Sequence, residues 1–339
     1  MTPIRVGLMG FGRIGRNLFR ILYDRDDIRV AAISDIADHK SLEYLLRFDT
    51  ILGRFPDEVS IQGGHLYVQG QQIPMLSLKE PGDVPWGALG VDIIIEATGR
   101  HRSRDELMRH LDRGAKRVIM CVPPVDPPDI TCVMGVNDNL LEASHRIVSN
   151  GSCTAHCAAP ILKILHSAFG IERAFLTTAH AYTNNQRLAD VPTEDKRQGR
   201  AAAENIIPQE SNSAQVVMDL IPELAGRVTG MAMNVPVPNG SLVDLVCWHD
   251  KPVTTLAINE VVRTAASSKW RGIIDYEDDP IVSSDIVRSP YSSTFDSLAT
   301  MVLEDKVSKT LAWYDNGWGY AHRVVDLIQR FRELDKEAA

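Results

Sequence analysis

The sequence predicts an α/β protein, with a parallel sheet and crossover helices in its first half and an α+β arrangement with a mostly antiparallel sheet in its second. In the first half, short apolar runs alternate with helical stretches, which is typical of parallel strands joined by helices. From about Ser149 onward, several apolar runs follow one another with fewer helices between them. The length of 339 residues also favours two domains, because a domain usually takes roughly 100–200 residues.

The first-half elements follow from apolar runs and from helical spacing. Helices are predicted at 16–24, where Leu18, Ile21 and Leu22 share one face, and at 104–113. The segment 66–73 alternates apolar and polar residues, which indicates an antiparallel insertion. Buried strands are predicted at 4–9, 30–34, 91–97 and 117–121.

The second half begins with a long predicted helix at 153–169, in which Pro160 should cause a kink. A strand at 174–180 precedes a polar stretch at 182–200 that contains little strand pattern. A helix at 259–268 is expected on one face of the sheet, and a terminal helix at 319–334. Further strands are predicted at 228–235, 242–248 and 300–303.

Composition and charge exclude several classes of protein. A net charge of −8 argues against a nucleic-acid or anionic-membrane binder, whose affinity comes largely from Lys and Arg. No apolar run approaches the roughly 18 residues of a transmembrane helix, and arginines interrupt the first thirty residues. Five cysteines are too few for a disulfide framework. We therefore expect a cytoplasmic protein with neither nucleic acid nor membrane as partner.

A glycine-rich turn follows the first predicted strand and opens the first predicted helix. Its pattern G-x-G-x-x-G suits a pyrophosphate, because the glycines allow a tight turn, close backbone approach and close helix packing. Asp35 ends the next predicted strand, where an acid can hold ribose hydroxyls and repel a 2′-phosphate. Such turns also occur for folding reasons and Asp35 could cap a loop, but the combined context favours binding of NAD over NADP. The turn comprises Gly10, Phe11, Gly12, Arg13, Ile14 and Gly15.

Cys153 is the candidate nucleophile, since it lies at the start of a predicted helix, where the helix dipole favours a thiolate. Beside a nicotinamide, a thiolate can add to an aldehyde and form a thiohemiacetal that gives up hydride. A small buried cysteine is the plainer interpretation, and it suits Cys157 better. A metal site built from Cys153, His156 and Cys157 lacks further ligands, so no metal is predicted.

A base must accompany the thiol. His180 ends a predicted strand just before the polar stretch 182–200, so its ring could face a cleft. Nine other histidines are present, and spacing alone does not single out His180.

Four motifs carry a specific resemblance. They are Gly-Phe-Gly-Arg-Ile-Gly-Arg at 10–16, Ser-Asn-Gly-Ser-Cys-Thr at 149–154, His-Ala-Tyr-Thr at 180–183 and Trp-Tyr-Asp-Asn-x-Trp-Gly-Tyr at 313–320. With them the chain resembles, from end to end, the phosphorylating glyceraldehyde-3-phosphate dehydrogenase family, to which the erythrose-4-phosphate dehydrogenases are a close sister group.

The resemblance implies a Rossmann domain with a doubly wound parallel sheet at 1–151, a catalytic domain at 152–317 and a helix at 318–339 that packs back on the first domain. It implies a cytoplasmic homotetramer of glycolysis that uses NAD, a small aldehyde and inorganic phosphate. Cys153 would be the nucleophile, His180 the general base, and Asn316 the residue that holds the nicotinamide carboxamide. The positions matching the family's phosphate sites are Ser152, Thr154, Thr183, Ser211, Asn212 and Asn234.

The sequence departs from the family at these phosphate sites. Gln198 and Asn234 stand where the family usually has arginines, and Gln215 stands for a lysine. The resemblance thus implies NAD-dependent oxidation of an aldehyde of the glyceraldehyde 3-phosphate type through a Cys153 thioester. The alternatives are the same chemistry on erythrose 4-phosphate or on a non-phosphorylated aldehyde, and a catalytically weak regulatory paralogue that binds NAD.

Overall fold

The computed structural model describes residues 2–338, which form two compact units. The first comprises residues 2–132, 140–151 and 321–338, and the second comprises 133–139 and 152–320. Residues 133–139, expected in the first domain, group with the second unit, because Val133 and Val136 are fully buried in its apolar core.

The first unit contains eleven strands and three helices among its described residues, together with most of the terminal helix. In chain order these are β1 (Ile4–Met9), α1 (Arg13–Leu22), β2 (Ile28–Ser34), α2 (His39–Arg47), β3 (Phe48–Asp49), β4 (Gly53–Arg54), β5 (Val59–Gln62), β6 (His65–Val68), β7 (Gln71–Leu76), β8 (Ile93–Glu96), α3 (Arg104–Asp112), β9 (Arg117–Met120), β10 (Ile130–Thr131) and β11 (Ile147–Ser149).

The main sheet of this unit has the order β10-β11-β9-β8-β1-β2-β7-β6-β5. Strands β10 to β7 run parallel, and β5 and β6 add an antiparallel edge. The expected insertion at 66–73 is in fact two strands, β6 and β7, joined by a turn at Gln69 and Gly70, both of which have positive φ. Residues 6–9 of β1 and all four residues of the neighbouring β8 are buried and, except for Glu96, apolar or glycine, as a sheet covered on both faces requires.

The second unit contains the remaining described elements. They are α4 (Cys153–Phe169), β12 (Arg173–Ala181), β13 (Ile207–Gln209), α5 (Ser213–Leu220), β14 (Val228–Val235), β15 (Ser241–Trp248), α6 (Thr255–Ser267), β16 (Ile274–Glu277), β17 (Ser293–Leu303), β18 (Val307–Tyr314) and the first turn of α7 (Trp318–Glu337), which otherwise belongs to the first unit.

The second sheet has the order β13-β14-β12-β15-β18-β17-β16. It is mostly antiparallel, with parallel pairs only at β12–β14 and β16–β17. Helix α4 buries Ala158, Ile161, Leu162 and Leu165 in the core of this unit, and it runs without a break across Pro160. The α/β fold class with one parallel and one mostly antiparallel sheet is thereby confirmed. Among residues 2–338, no helix is long and apolar enough to cross a membrane.

Candidate active site

The glycine-rich turn of the first unit adopts a conformation that requires two of its glycines. Gly10 has φ +96°, and a Cβ there would lie 2.8 Å from the backbone of Ala97 and Thr98. A Cβ on Gly15 would lie 2.2 Å from the carbonyl oxygen of Gly10, so α1 can pack against the turn only with glycine at this position. Gly12, by contrast, has open space where a Cβ would stand. This space lets a ligand approach the backbone of the turn.

Asp35 fixes the shape of this turn from the end of β2. One carboxylate oxygen accepts the backbone N–H of Phe11 at 2.6 Å, and the other accepts the N–H of Ala37 at 2.9 Å. A carboxylate offers about four acceptor directions, so two remain for hydroxyl groups of a ligand. Gly12 caps α1 without a side chain, and Arg13 and Ile14, half-buried, form the first turn of the helix.

A cavity of about 180 Å³ opens beside the turn, within the first unit. Its lining combines the turn, the ends of β1, β2 and β8, and the loop after β8. The glycine cradle, the helix N-terminus and the carboxylate of Asp35 together suit a dinucleotide. The lining residues include Gly10, Gly12, Asp35, Leu78, Thr98 and His101.

A buried hydrogen-bond chain holds the loop after β8 in place. The Trp86 indole N–H donates to Nδ1 of His110 at 2.9 Å, so the proton of His110 must be on Nε2. That Nε2 lies 3.2 Å from one carboxylate oxygen of Glu96. The other oxygen of Glu96 accepts both the backbone N–H of Thr98, at 2.9 Å, and its hydroxyl. Thr98 lines the cavity, so this buried carboxylate shapes the wall of the candidate dinucleotide site.

The thiol of Cys153 lies in the second unit, at the first residue of α4. Ser152 caps the helix by accepting the N–H of Ala155 at 3.1 Å. The Sγ atom is 3.5 Å from Nε2 of His180, which stands near the end of β12. Nδ1 of His180 lies 2.6 Å from the carbonyl oxygen of Ala181, which can only accept. The proton of a neutral His180 is therefore on Nδ1, and Nε2 can accept the proton of the thiol.

Cys157, one turn further along α4, has a different environment. It is fully buried, and its thiol donates weakly to Ser293 Oγ at 3.5 Å and to the carbonyl oxygen of Ala312 at 3.6 Å. Burial raises the pKa of Cys157 to about 12. It remains a thiol at neutral pH, which makes it a packing residue.

Tyr314, which was not predicted from the sequence, contacts the neighbourhood of both Cys153 and His180. It is buried, and its hydroxyl lies 2.9 Å from the hydroxyls of Thr154 and Thr178. Its ring packs edge-on against the ring of His180, with centroids 6.0 Å apart. Burial, followed by the nearby sulfur of Cys153, raises the pKa of Tyr314, so the hydroxyl stays protonated. The only sequence signal for this role was its place in the motif at 313–320.

Thr154, expected at a phosphate site, is the second residue of α4. Its side chain is buried, and its hydroxyl lies 2.9 Å from the hydroxyl of Tyr314. This contact ties the start of α4 to the end of β18.

Asn316 is buried in the loop between β18 and α7. Its Oδ1 accepts from the hydroxyl of Ser241 at 3.3 Å, and the same hydroxyl oxygen accepts the N–H of Ala181 at 3.0 Å. Ser241, which the sequence analysis also missed, thus ties Asn316 to the strand of His180. Asp315 shapes the loop by accepting the N–H groups of Gly317 and Trp318 at 2.8 and 2.7 Å. Within residues 2–338 the amide NH₂ of Asn316 has no hydrogen-bond acceptor, so it can donate to a ligand.

Three serines meet at the start of α4, the helix whose first residue is Cys153. Ser213 Oγ lies 3.4 Å from Ser152 Oγ and accepts from Ser211 Oγ at 3.0 Å. Ser152 caps α4, and Asn212 is the N-cap of α5 without a side-chain hydrogen bond to it. We call Ser152, Ser211 and Ser213 the serine cluster. Two helix N-termini and three hydroxyls in one place suit an anion.

The remaining predicted positions carry amide or hydroxyl side chains. Asn234 lies opposite His180 in the β12–β14 register and is buried. Thr183 donates its N–H and its hydroxyl to Oε1 of Gln186, at 2.7 and 2.9 Å. Gln215 turns to Asp219 on its own helix, at 2.8 Å, so its amide is engaged outside the serine cluster. Among residues 2–338, no group of three or more His, Cys, Asp or Glu side chains could hold a metal ion.

Comparison with known proteins gives one consistent result. Residues 4–104 match the family model described as glyceraldehyde 3-phosphate dehydrogenase, NAD binding domain, and residues 152–316 match that of the C-terminal domain. The chain is 46% identical over 325 residues to glyceraldehyde-3-phosphate dehydrogenase of Geobacillus stearothermophilus. It is 48% identical over 327 residues to the enzyme of that name from Streptomyces coelicolor. In both cases the match covers 96% of this chain and 97% of the relative.

Proposed function

Because this chain belongs to the glyceraldehyde-3-phosphate dehydrogenase family, we propose that it catalyses the NAD-dependent oxidation of a small aldehyde of the glyceraldehyde 3-phosphate type, with inorganic phosphate as the second substrate. The observation that carries this proposal is the distance of 3.5 Å between Sγ of Cys153 and the unprotonated Nε2 of His180. A thiol beside a correctly oriented base is the arrangement that covalent catalysis on a carbonyl needs.

The proton of the thiol moves first. Nε2 of His180 accepts it, and the thiolate of Cys153 adds to the carbonyl carbon, so that a C–S bond forms and the carbonyl oxygen becomes an alkoxide. His180 returns the proton to that oxygen and gives a thiohemiacetal. The carbonyl of Ala181 stabilises the protonated ring through Nδ1. His180 therefore acts as base and acid without changing its orientation.

Oxidation requires the thiohemiacetal to lose hydride from carbon and a proton from oxygen. NAD supplies the hydride acceptor when it is bound. His180 takes the proton, and a thioester of Cys153 remains. Phosphate then attacks the thioester carbon and the C–S bond breaks, so the acyl group leaves as an acyl phosphate. His180 returns its proton to the departing sulfur, and the thiol of Cys153 is restored.

The serine cluster is our candidate for the site of the attacking phosphate. It adjoins Cys153 through Ser152, and it offers hydroxyls together with the N-termini of α4 and α5. Helix N-termini favour anions through their unpaired N–H groups. Ser213 is thus added to the expected Ser152 and Ser211.

The cofactor would be held by the glycine-rich turn, by Asp35 and by the loop at Thr98. Asp35 presents negative charge to the ribose, which favours NAD over a cofactor with a 2′-phosphate. Asn316, whose NH₂ group remains a donor, is the candidate to bind the carbonyl oxygen of the nicotinamide carboxamide. We also propose that the enzyme acts in glycolysis and in the cytoplasm.

A homotetramer is the assembly we propose. The second sheet leaves large apolar side chains exposed on β12, β14 and β17, as expected of a face that another copy covers. They are Phe175, Met231, Leu298, Met301 and Leu303, which are 40–65% exposed. Light scattering on the purified protein tests this, and a monomer at micromolar concentration would contradict it.

A spectroscopic assay of NADH with a panel of aldehydes, with and without phosphate, tests the function. Wild-type enzyme should turn over only when NAD and phosphate are both present, and Cys153→Ser should abolish turnover. Cys157→Ser is the matched control and should retain it. Binding of NAD without turnover of any aldehyde would instead identify a regulatory paralogue.

A further inference from the structure

Neutral polar side chains border His180 on the side of β14. Asn234 is paired in register with His180, and it is 4% exposed. Its Nδ2 donates to Oε1 of Gln209 at 2.7 Å, across the edge strand β13. Register partners on adjacent parallel strands direct their side chains to the same face. The base therefore has an uncharged amide pair as its neighbour across the sheet.

A second neutral group follows His180 along the chain. Oε1 of Gln186 accepts from Thr183, and Nε2 of Gln186 donates to Oε1 of Gln198 at 3.3 Å. Nε2 of Gln198 is buried and has no hydrogen-bond acceptor among residues 2–338. A buried donor without a partner is costly, and a ligand oxygen would satisfy it. We use the name amide cluster for these two hydrogen-bonded groups together. They are Asn234 with Gln209, beside His180 in register, and Thr183 with Gln186 and Gln198, which follow His180 along the chain.

The cations of the neighbouring loop are all exposed. Arg200 forms an ion pair with Asp190 at 2.9 Å, and both side chains are more than half exposed. Lys196 donates to the carbonyl oxygen of Thr193, and Arg197 is exposed. Gln198, which lies between Arg197 and Arg200 in the sequence, is neutral and half-buried. The amide cluster thus contains no positive charge.

This distribution of charge determines what the cluster can bind. A buried anion requires a paired cation or unpaired N–H groups at a helix N-terminus, and its desolvation is expensive without either. A hydroxyl oxygen has no charge to compensate, can accept from Nε2 of Gln198 and can donate in turn. The serine cluster, by contrast, combines its hydroxyls with two helix N-termini, so an anion is favoured there.

We propose, on the basis of the function proposed above, that the amide cluster binds the end of the substrate that lies away from the aldehyde, and that it selects a hydroxylated, uncharged end. Small polyhydroxy aldehydes are then oxidised at least as efficiently as their phosphorylated counterparts, while inorganic phosphate still enters at the serine cluster.

The test compares kcat/KM for D-glyceraldehyde and for D-glyceraldehyde 3-phosphate, at saturating NAD and phosphate and corrected for the free aldehyde fraction. We expect the value for D-glyceraldehyde to be equal or higher. A higher value for the phosphorylated aldehyde overturns the inference. Absence of NADH with both aldehydes would instead count against the proposed function, so the two failures are distinguishable.

Variants that change the charge at Gln198 provide a second test of the proposal. Gln198→Arg adds a cation at the half-buried position and should shift the ratio of the two kcat/KM values toward the phosphorylated aldehyde by about tenfold or more, the equivalent of about 1.4 kcal/mol. Gln198→Glu should shift it the opposite way. The control is Gln62→Arg, an exposed position of β5 in the first unit, which should leave the ratio unchanged. An unchanged ratio in folded Gln198→Arg and Gln198→Glu overturns the assignment of Gln198.

Discussion

Replacement of Glu96 by glutamine should destabilise the first unit and weaken the binding of NAD. The carboxylate of Glu96 is fully buried and accepts three hydrogen bonds, two from Thr98 and one from Nε2 of His110. A carboxamide has one accepting oxygen and one donating nitrogen. Whichever way it turns, its NH₂ group must face a donor.

A change in the tautomer of His110 does not remove this conflict between donors. The indole N–H of Trp86 donates to Nδ1 of His110 at 2.9 Å. If the proton of His110 moved from Nε2 to Nδ1, the new Nδ1–H would point at this indole N–H, and two donors would oppose each other. One buried pair of opposed donors therefore remains in every arrangement. A charge-assisted hydrogen bond contributes about 1.5–3 kcal/mol, and an unsatisfied buried donor costs about 1–3 kcal/mol. The expected loss is about 3 kcal/mol or more.

Two assays measure this effect. Urea unfolding followed by circular dichroism should show a loss of that size in the free energy of unfolding. Calorimetric titration with NAD should show weaker binding, since Glu96 holds the Thr98 wall of the cavity. Asp112→Asn, at the exposed end of α3, is the matched control. A change of less than 1 kcal/mol with unaltered NAD affinity would refute the reasoning.

Three further predictions follow from the pKa values and contacts described above. Iodoacetamide at pH 7.5 should alkylate Cys153 and leave Cys157, whose pKa is about 12, unmodified in folded protein; equal labelling by peptide mass spectrometry would contradict this. Asp35→Ala should reduce the preference for NAD over NADP in kcat/KM, because the repulsive charge is gone, and an unchanged ratio would speak against that role. Burial lowers the pKa of His322 to about 4, so its stabilising contribution is complete above its unfolded pKa of about 6.5 and is lost as the pH falls from about 6.5 to 4. His322→Gln should therefore lose less stability than wild type over that range, and parallel urea midpoints would contradict this.

The sequence pattern predicted the bounds of a helix or strand correctly where that element's own residues carry a clear apolar pattern. The first strand and the long helix at 153–169 have the predicted bounds, because their apolar residues are continuous or helically spaced. The short helix α5 was missed, since it is only eight residues long and begins in a polar stretch. The grouping of 133–139 with the second unit was not predictable from the local pattern, for another reason. Burial of Val133 and Val136 depends on residues distant in the sequence.

In the candidate active site, too, contacts between residues distant in the sequence could not be predicted. Motifs indicated Cys153 and His180, but the tautomer of His180 depends on where its own strand places the carbonyl of Ala181. Tyr314 and Ser241 act through contacts across the second sheet, to residues 136–160 and 60–75 positions away, which sequence spacing does not encode.

Peptide mass spectrometry tests the role of Cys153 most directly. The enzyme would be mixed with NAD and either D-glyceraldehyde or its 3-phosphate, in the absence of inorganic phosphate, and then digested. We predict an acyl adduct on the peptide that carries Cys153, which disappears when phosphate is added and is absent from Cys153→Ser. NADH formation by folded Cys153→Ser, or an acyl group on any other residue, would contradict the account.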